Sequence, residues 1–169
     1  MTNKTTEIIK SRRSIRRYIE KEIPEEILRD IMDCARLAPT GNNKQPWTFV
    51  VVTDKELRDK ISYFARYGKF IKEAGACIAV FCDEENSTTP LQDACAATEN
   101  IIISAQSYGL GTCWVNSYKK EHSGKIKELL NCPPDMELMT LLAVGYYNDD
   151  YVKDIKKKTI DEVLKWNSF

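Results

Sequence analysis

Four arginines within six positions stand near the start of the chain, in the segment RRSIRRY (residues 12–18). In an extended backbone alternate side chains point the same way, so Arg12, Ser14 and Arg16 would share one side. Two guanidinium groups with a hydroxyl between them suit a phosphate, because they donate charge-assisted hydrogen bonds in pairs. A solvated basic turn, or one that contacts RNA, is the alternative that such a cluster leaves open.

A second polar segment, APTGNNKQPW (residues 38–47), lies between a predicted helix and a predicted strand. Ligands often bind at such junctions in α/β sheets. Asn42, Asn43 and Gln45 offer both donors and acceptors, which suit the edge of a heterocycle or the hydroxyls of a sugar. Taken alone, these residues also describe a turn, because Gly and Asn accept positive φ and Pro restricts the neighbouring backbone.

Two further segments could contribute to a site. In GLGTCW (residues 109–114) the two glycines would let the backbone approach a ligand closely. They follow a predicted helix instead of opening one, so they are not a dinucleotide-binding fingerprint. The cationic run from Lys156 to Lys158 either completes an anion site begun by the arginines or forms a solvated surface.

Side chains suited to acid–base, nucleophilic or metal chemistry are not evident. The chain has no serine flanked by the two glycines of a nucleophile elbow, and its one histidine, His122, lies in a polar stretch predicted to be at the surface. The six cysteines include no Cys-x-x-Cys pair, and we expect several of them to be small buried residues. We therefore assign no catalytic side chain and no metal ligand. A reaction carried by a bound cofactor needs little more from the protein than placement and electrostatics.

Length and composition limit the classes of protein. The 169 residues are 43% hydrophobic and 30% charged, which predicts one folded domain. Because 25 Lys and Arg balance 25 Asp and Glu, a general attraction to nucleic acid or to a membrane surface is not expected. The chain has no apolar run of about 20 residues and no evident signal peptide, so we expect reduced thiols and a cytoplasmic location.

Helical and strand patterns alternate along the chain. Strands are predicted over residues 47–52, 76–82, 112–116 and 139–146. Helices are predicted through residues 8–9 with Thr5 or Thr6 as the cap, from Pro24 to before Pro39, after an Asp54 cap, over 91–108 and over 126–130. This order predicts an α/β or α+β sandwich around one sheet. The helix over 91–108 is apolar on most sides, so it is either central or shared with a second subunit.

Together these segments resemble the nitroreductase family. RRSIRRY, APTGNNKQPW, an Ala-rich helix running into GLGTCW, then LLAVGYY and a basic tail follow one another in the order of that family over nearly the whole chain. The resemblance implies a single domain over residues 1–169. It also implies an α+β three-layer sandwich with a central, mostly antiparallel sheet flanked by helices, and an intertwined homodimer that binds FMN at the subunit interface.

The family also implies an activity. Two electrons pass from NADH or NADPH to the flavin, and then to nitroaromatics, quinones or similar acceptors in a ping-pong cycle. A flavin-dependent enone reductase or dehalogenase on the same scaffold, and a flavin-binding protein without turnover, stay open as alternatives. The segment from Tyr63 to Phe70 is a candidate roof for the substrate channel, because only Asp83 to Thr89 separates the second strand from the long helix.

Ten residues are assigned to the cofactor by this resemblance. Arg12, Arg13 and Ser14 match the phosphate side of the FMN site, and Arg16 matches the cation near the ribityl chain and the N1–O2 edge of the flavin. At ~4 Å and an effective dielectric of ~20, a guanidinium would stabilise the negative charge of reduced flavin by about 4 kcal/mol. The remaining assignments are Asn43 and Gln45 as polar contacts from the partner subunit, Asn116 and Ser117 at the strand end whose backbone amide faces flavin N5, and Lys156 and Lys158 closing over the phosphate.

Overall fold

A computed structural model describes residues 3–152 and 155–169. Within them, four strands form one sheet: Trp47–Val52 (β1), Ala76–Asp83 (β2), Gly111–Asn116 (β3) and Met136–Gly145 (β4). The strand order is β1-β2-β4-β3, and every neighbouring pair is antiparallel. The predicted strands are therefore confirmed within a few residues at their ends, and the fold is α+β.

The helices found in the described residues are Lys4–Ser11 (α1), Glu25–Arg36 (α2), Lys55–Phe64 (α3), Pro90–Ser107 (α4), Ser123–Leu129 (α5) and Ile160–Val163 (α6). They cover both faces of the sheet. Leu28 of α2 and Ile101 of α4 belong to one buried cluster, and Ile61 of α3 and Ile126 of α5 belong to another. Successive residues of β2 alternate between the two clusters, as the pleat of a strand requires. The predicted three-layer sandwich is confirmed.

Local side-chain bonds explain where several helices begin. Asp54 caps α3 as predicted, its Oδ1 accepting from the Leu57 amide at 2.8 Å. The cap of α1 is Asn3, and the prediction of Thr5 or Thr6 was wrong. Asn3 accepts from the Thr6 amide at 3.0 Å while the Thr6 hydroxyl accepts from the Asn3 amide at 3.0 Å, so a reciprocal pair satisfies two amides at the helix start.

The long helix α4 is buried on one face only. Ala94, Ala97 and Ile101 are buried against the sheet and α2, whereas Cys95 and Ile103 on other sides are half-buried. Gly109 ends the helical segment with φ +71°, a left-handed conformation that glycine adopts without strain. Part of the apolar surface predicted for this helix is therefore not covered by its own chain.

The last described residues, 155–169, form a C-terminal arm in which every residue is exposed. The arm carries large apolar side chains, including Trp166 at 79% exposure. Such side chains are normally buried because exposing their apolar surface to water is unfavourable. The arm therefore does not bury them against the rest of the described chain. No helix within the described ranges has the length and apolar character needed to cross a membrane.

Candidate functional site

The arginine segment (residues 12–18) is docked on the outer strand β3. Ser14 forms a parallel bridge with Thr112, and the Ile15 amide donates to the Thr112 carbonyl at 2.9 Å. Ile15 is 1% exposed and fills the space above Gly111, where a Cβ would lie 2.6 Å from Ile15 Cγ1. With Ile15 directed into the protein, the alternation of an extended chain directs Ser14 and Arg16 to the other side.

Arg12 and Arg16 both affect Cys113 of β3. Burial raises the pKa of the Cys113 thiol, and the positive charges of Arg16 and Arg12 oppose that rise. Both arginines therefore place positive charge within electrostatic range of this strand. Arg13 differs, because its Nη1 donates to the carbonyls of Lys10 and Arg12, each at 2.9 Å, and this ties it to the end of α1.

Tyr18 holds the far end of the arginine segment. Its hydroxyl donates to the Ile15 carbonyl at 2.6 Å, and its ring lies against Gly145, where a Cβ would be 2.9 Å from Tyr18 Cδ1. Burial raises the pKa of Tyr18 well above its ordinary value, so the phenol stays a donor. The carbonyl that precedes Arg16 is therefore held in place from within the fold.

The backbone of Asn116 faces away from the described sheet. The Ser117 amide donates to the Met139 carbonyl at 3.2 Å, so Ser117 and Met139 form a hydrogen-bonded antiparallel pair. Along two antiparallel strands, hydrogen-bonded pairs alternate with pairs whose amide and carbonyl groups point away from each other. Asn116 and Thr140 form a pair of the latter, outward-pointing kind. The end of β3 therefore presents the Asn116 amide on its outer edge.

Ser117 lies inside the protein, so neither its side chain nor its amide is available at the outer edge of β3. It is fully buried, and its hydroxyl donates to the Val115 carbonyl at 3.2 Å and lies 3.0 Å from His122 Nε2. Of the two residues predicted at the strand end, Asn116 alone directs its amide outward. His122 was predicted at the surface, but it is half-buried, and burial is the main cause that lowers its pKa.

Asn43 and Gln45 lie at the opposite corner of the sheet, in the asparagine loop (residues 40–45). The loop leads into Trp47 at the start of β1. By strand register, Trp47 is level with the C-terminal end of β3, and strands β2 and β4 lie between β1 and β3. From strand spacings alone, Trp47 at the end of the loop and the docking point at Thr112 are ~25 Å apart. One chain therefore does not bring Asn43 and Gln45 to Arg12 and Arg16.

Lys156 and Lys158 are exposed on the C-terminal arm. Within the described residues, no hydrogen bond or ion pair joins them to the arginine segment. The described chain that precedes the arm passes beside that segment, because the Arg17 guanidinium carbon lies 5.9 Å from the centre of the Tyr151 ring. No cluster of three or more potential metal ligands occurs in the parts of the chain that are described.

Comparison with protein families identifies this arrangement. The model described as "Nitroreductase family" matches residues 9–75 and 62–146, which is most of the chain. The chain belongs to the nitroreductase family. The matched region includes the arginine segment, the asparagine loop and all four strands of the nitroreductase sheet described above.

Three relatives of this nitroreductase-family chain span most of its length. A protein of Archaeoglobus fulgidus, provisionally named an NADH dehydrogenase/NAD(P)H nitroreductase, is 37% identical over 148 residues, which cover 85% of each chain. Iodotyrosine deiodinase 1 of Mus musculus is 27% identical over 94% of this chain and 67% of its own length. The solved FMN-dependent nitroreductase of Clostridium difficile R20291 has a TM-score of 0.84 and 29% identity, covering 96% of this chain and 98% of that one.

Two residues of the candidate site were not recognised in the sequence of this nitroreductase-family member. Tyr18 ends the RRSIRRY motif, but no local pattern indicates that its hydroxyl returns to Ile15. Asp93 lies in the first turn of α4, and only the structure shows its carboxylate accepting from the Gly41 amide at 3.2 Å. The signal that could have identified Asp93 is an acidic residue beside Ala94 on the apolar face of the predicted helix, shortly after the hydroxylated residues Ser87 and Thr89.

Proposed function

We propose that this protein is an FMN-dependent oxidoreductase. It takes two electrons from NADH or NADPH and delivers them to nitroaromatic, quinone or similar acceptors by a ping-pong mechanism. The observation that carries the proposal is the docking of the arginine segment on β3, where Ser14 bridges Thr112, in a member of the nitroreductase family. The free thiols of the chain support a cytoplasmic location, and the whole of residues 1–169 is proposed to be one domain.

The residues on this edge of the sheet fit a flavin mononucleotide. Arg12 and Ser14, with Arg13 beside them, would hold the phosphate, and Arg16 would place positive charge near the N1–O2 edge of the ring, where it favours the reduced state. The outward amide of Asn116 is a donor for N5, and Ser117 supports it from inside. When bound, FMN supplies the acceptor for hydride. The protein then has to bind and orient the reactants and needs no proton-donating side chain.

The same proposal requires a second copy of the chain. Asn43 and Gln45 are too far from Arg16 to contact the same flavin within one subunit, so we assign them to the site of the partner subunit. The half-buried side of α4 and the apolar side chains of the C-terminal arm provide surface for a homodimer. Lys156 and Lys158 on the arm are proposed to close over the phosphate, in whichever subunit the arm reaches.

The acceptor side of the proposed site is formed by the segment from Tyr63 to Phe70. Gly68 of this segment packs on β3, since a Cβ there would lie 3.4 Å from Val115 Cγ2, one residue before Asn116. Tyr63 and Tyr67 are 76% and 78% exposed. We propose that this segment roofs the acceptor channel and that the exposed tyrosine rings contact aromatic acceptors.

The first experiment identifies the cofactor. Purified protein should be yellow, its released flavin should have the mass of FMN, and the bound flavin should bleach when NADH or NADPH is added without oxygen. A colourless protein that FMN cannot reconstitute would overturn the proposal. A protein that retains stoichiometric flavin but does not oxidise NADH or NADPH in steady state would be a flavin-binding protein without turnover.

The second experiment tests the shared site. Co-expression of differently tagged Arg16→Ala and Asn43→Ala chains yields mixed dimers. If Arg16 and Asn43 of different subunits meet at one flavin, one site of each mixed dimer carries both changes and the other carries neither. One tightly bound FMN per mixed dimer is then expected, whereas both homodimers lose it. Weak binding at both sites of the mixed dimer would show that the two residues act within one subunit.

Reductive dehalogenation is the second candidate function. The 27% identity to a mouse iodotyrosine deiodinase over 94% of the chain favours it. Both candidates use the same proposed cofactor site, so a substrate panel separates them. Iodinated phenols reduced faster than nitroaromatics and quinones, with stoichiometric release of iodide, would replace the acceptor class proposed above.

A further inference from the structure

The asparagine loop has a backbone that needs support from outside the loop. Asn42, Asn43 and Gln45 have φ values of 52°, 55° and 49°, in the left-handed region that L-residues adopt at a cost. All three side chains are exposed, so no burial of the loop itself offsets that cost. Strained backbone of this kind persists when the surrounding structure holds it.

That support comes from the buried carboxylate of Asp93, which is 4% exposed. Its Oδ1 accepts from the Gly41 amide at 3.2 Å and from the Thr89 hydroxyl at 3.1 Å, and its Oδ2 accepts from the Ser87 hydroxyl at 2.8 Å. A carboxylate that only accepts fits three donors, and its place in the first turn of α4 is the favoured end for a negative charge. Asp93 thus joins the loop to a helix 52 positions away.

The packing around Gly41 also leaves no room for a side chain. A Cβ on Gly41 would lie 2.7 Å from Thr89 Oγ1, a residue that itself donates to Asp93. The Gln45 amide is held within the loop by the Thr40 hydroxyl at 3.1 Å. The bond from Gly41 to Asp93 is therefore the contact that fixes where the loop begins relative to α4.

We infer that Asp93 is a positioning residue, which holds the asparagine loop so that Asn43 and Gln45 are presented to the flavin of the partner subunit. The positioning of the loop stands on the contacts above. Its consequence for the flavin rests on the proposed function. Two experiments separate these parts.

The first experiment measures the loop directly. Lys44 is exposed in the loop. Trypsin cleavage after Lys44 in the purified full-length protein can therefore be followed by mass spectrometry. Its rate reports how often the loop detaches from Asp93. Asp93→Ala should raise this rate about tenfold, since a hydrogen bond to a charged group is lost. Arg16→Ala is the matched control for loss of flavin alone, and Asp54→Ala is the control for loss of a carboxylate near the start of another helix. Both should cleave clearly more slowly than Asp93→Ala.

Gly41→Ala keeps the experiment decisive if Asp93→Ala does not fold. It leaves Asp93 intact and pushes the loop away from Thr89 at a half-buried position, so it should raise cleavage after Lys44 in the same way. Unchanged cleavage in a folded Asp93→Ala protein, or in Gly41→Ala, would overturn the inference.

The second experiment tests the consequence for the flavin in mixed dimers of Asp93→Ala and Arg16→Ala chains. If Asp93 acts through the loop on the partner's site, one FMN per dimer remains tightly bound, as with Asn43→Ala. A general loss of stability would instead weaken both sites and would overturn the positioning role for the flavin. If the Asn43→Ala mixed dimers also lack an intact site while Lys44 cleavage still responds to Asp93, the shared site is wrong and the loop anchor stands.

Discussion

The arginine segment and the asparagine loop are the two polar parts of the proposed cofactor site, and the fold holds them in different ways. The arginine segment pairs with β3 through its backbone, buries Ile15 and is held by Tyr18. The asparagine loop is exposed and depends on a side-chain carboxylate on another element. The charged part is thus built into the sheet of its own subunit, whereas the loop and the C-terminal arm extend from the fold and are suited to act on a second subunit.

Removal of the C-terminal arm, residues 155–169, should have the largest effect. No residue of the arm is buried in its own subunit, so the shortened chain should fold but sediment as a monomer and lose FMN. The double variant Lys156→Ala/Lys158→Ala is the control, because it removes charge and keeps the apolar side chains; it should remain dimeric. A shortened chain that stays dimeric with bound FMN would contradict the role given to the arm.

Arg16→Ala should weaken FMN binding about tenfold to a hundredfold, the range for one charge-assisted hydrogen bond. Titration of the apoprotein with FMN, followed by the quenching of flavin fluorescence, measures this change. Arg36→Ala is the matched control, because Arg36 pairs at 2.6 Å with Asp33 on the exposed face of α2. Equal FMN affinity in the two variants would refute the assignment of Arg16.

Gly111→Ala tests whether the arginine segment is held by close packing. The new Cβ would lie 2.6 Å from Ile15 Cγ1 and 2.7 Å from Tyr147 Cδ1, so we expect a loss of about 1–3 kcal/mol of unfolding free energy. Gly124→Ala in α5 has nothing within 4 Å of its Cβ and should raise stability by about 0.5–1 kcal/mol. Urea unfolding measures both; a Gly111→Ala protein as stable as the natural chain would show that Ile15 is not tightly packed against Gly111.

His122 should produce the smallest effect, a dependence of stability on pH. Burial lowers its pKa in the folded chain below the ordinary 6.5, so the unfolded chain takes up the proton first as the pH falls. Stability should therefore be unaffected by this residue above pH 6.5 and decrease below it, until the folded state also binds the proton. Urea midpoints of His122→Gln should decrease less over that range than those of the natural chain. Identical slopes would show that burial does not lower the pKa of this imidazole in the folded chain.

Much of the fold could be predicted because it depends on local pattern. The β-branched run of β1, the apolar run of β2, the Asp54 cap and the left-handed Gly109 are each specified by neighbouring residues. The arginine segment could be recognised as extended because alternation of its side chains is a local property. His122 could not be placed correctly, since its burial depends on Ser117 at the end of β3, which the polar stretch around it does not indicate.

The sequence by itself determined the succession of elements and the residue types assigned to the proposed flavin site, because hydrophobic period, capping and charge are properties of adjacent residues. Only the tertiary structure decided which of those residues stand together. Strand order separates Asn43 from Arg16 by the width of the sheet, the antiparallel alternation turns the Asn116 amide outward and the Ser117 amide inward, and the helix packing brings Asp93 to Gly41. These contacts join residues far apart in the chain, and their free energy arises only when the sheet and its helices have assembled.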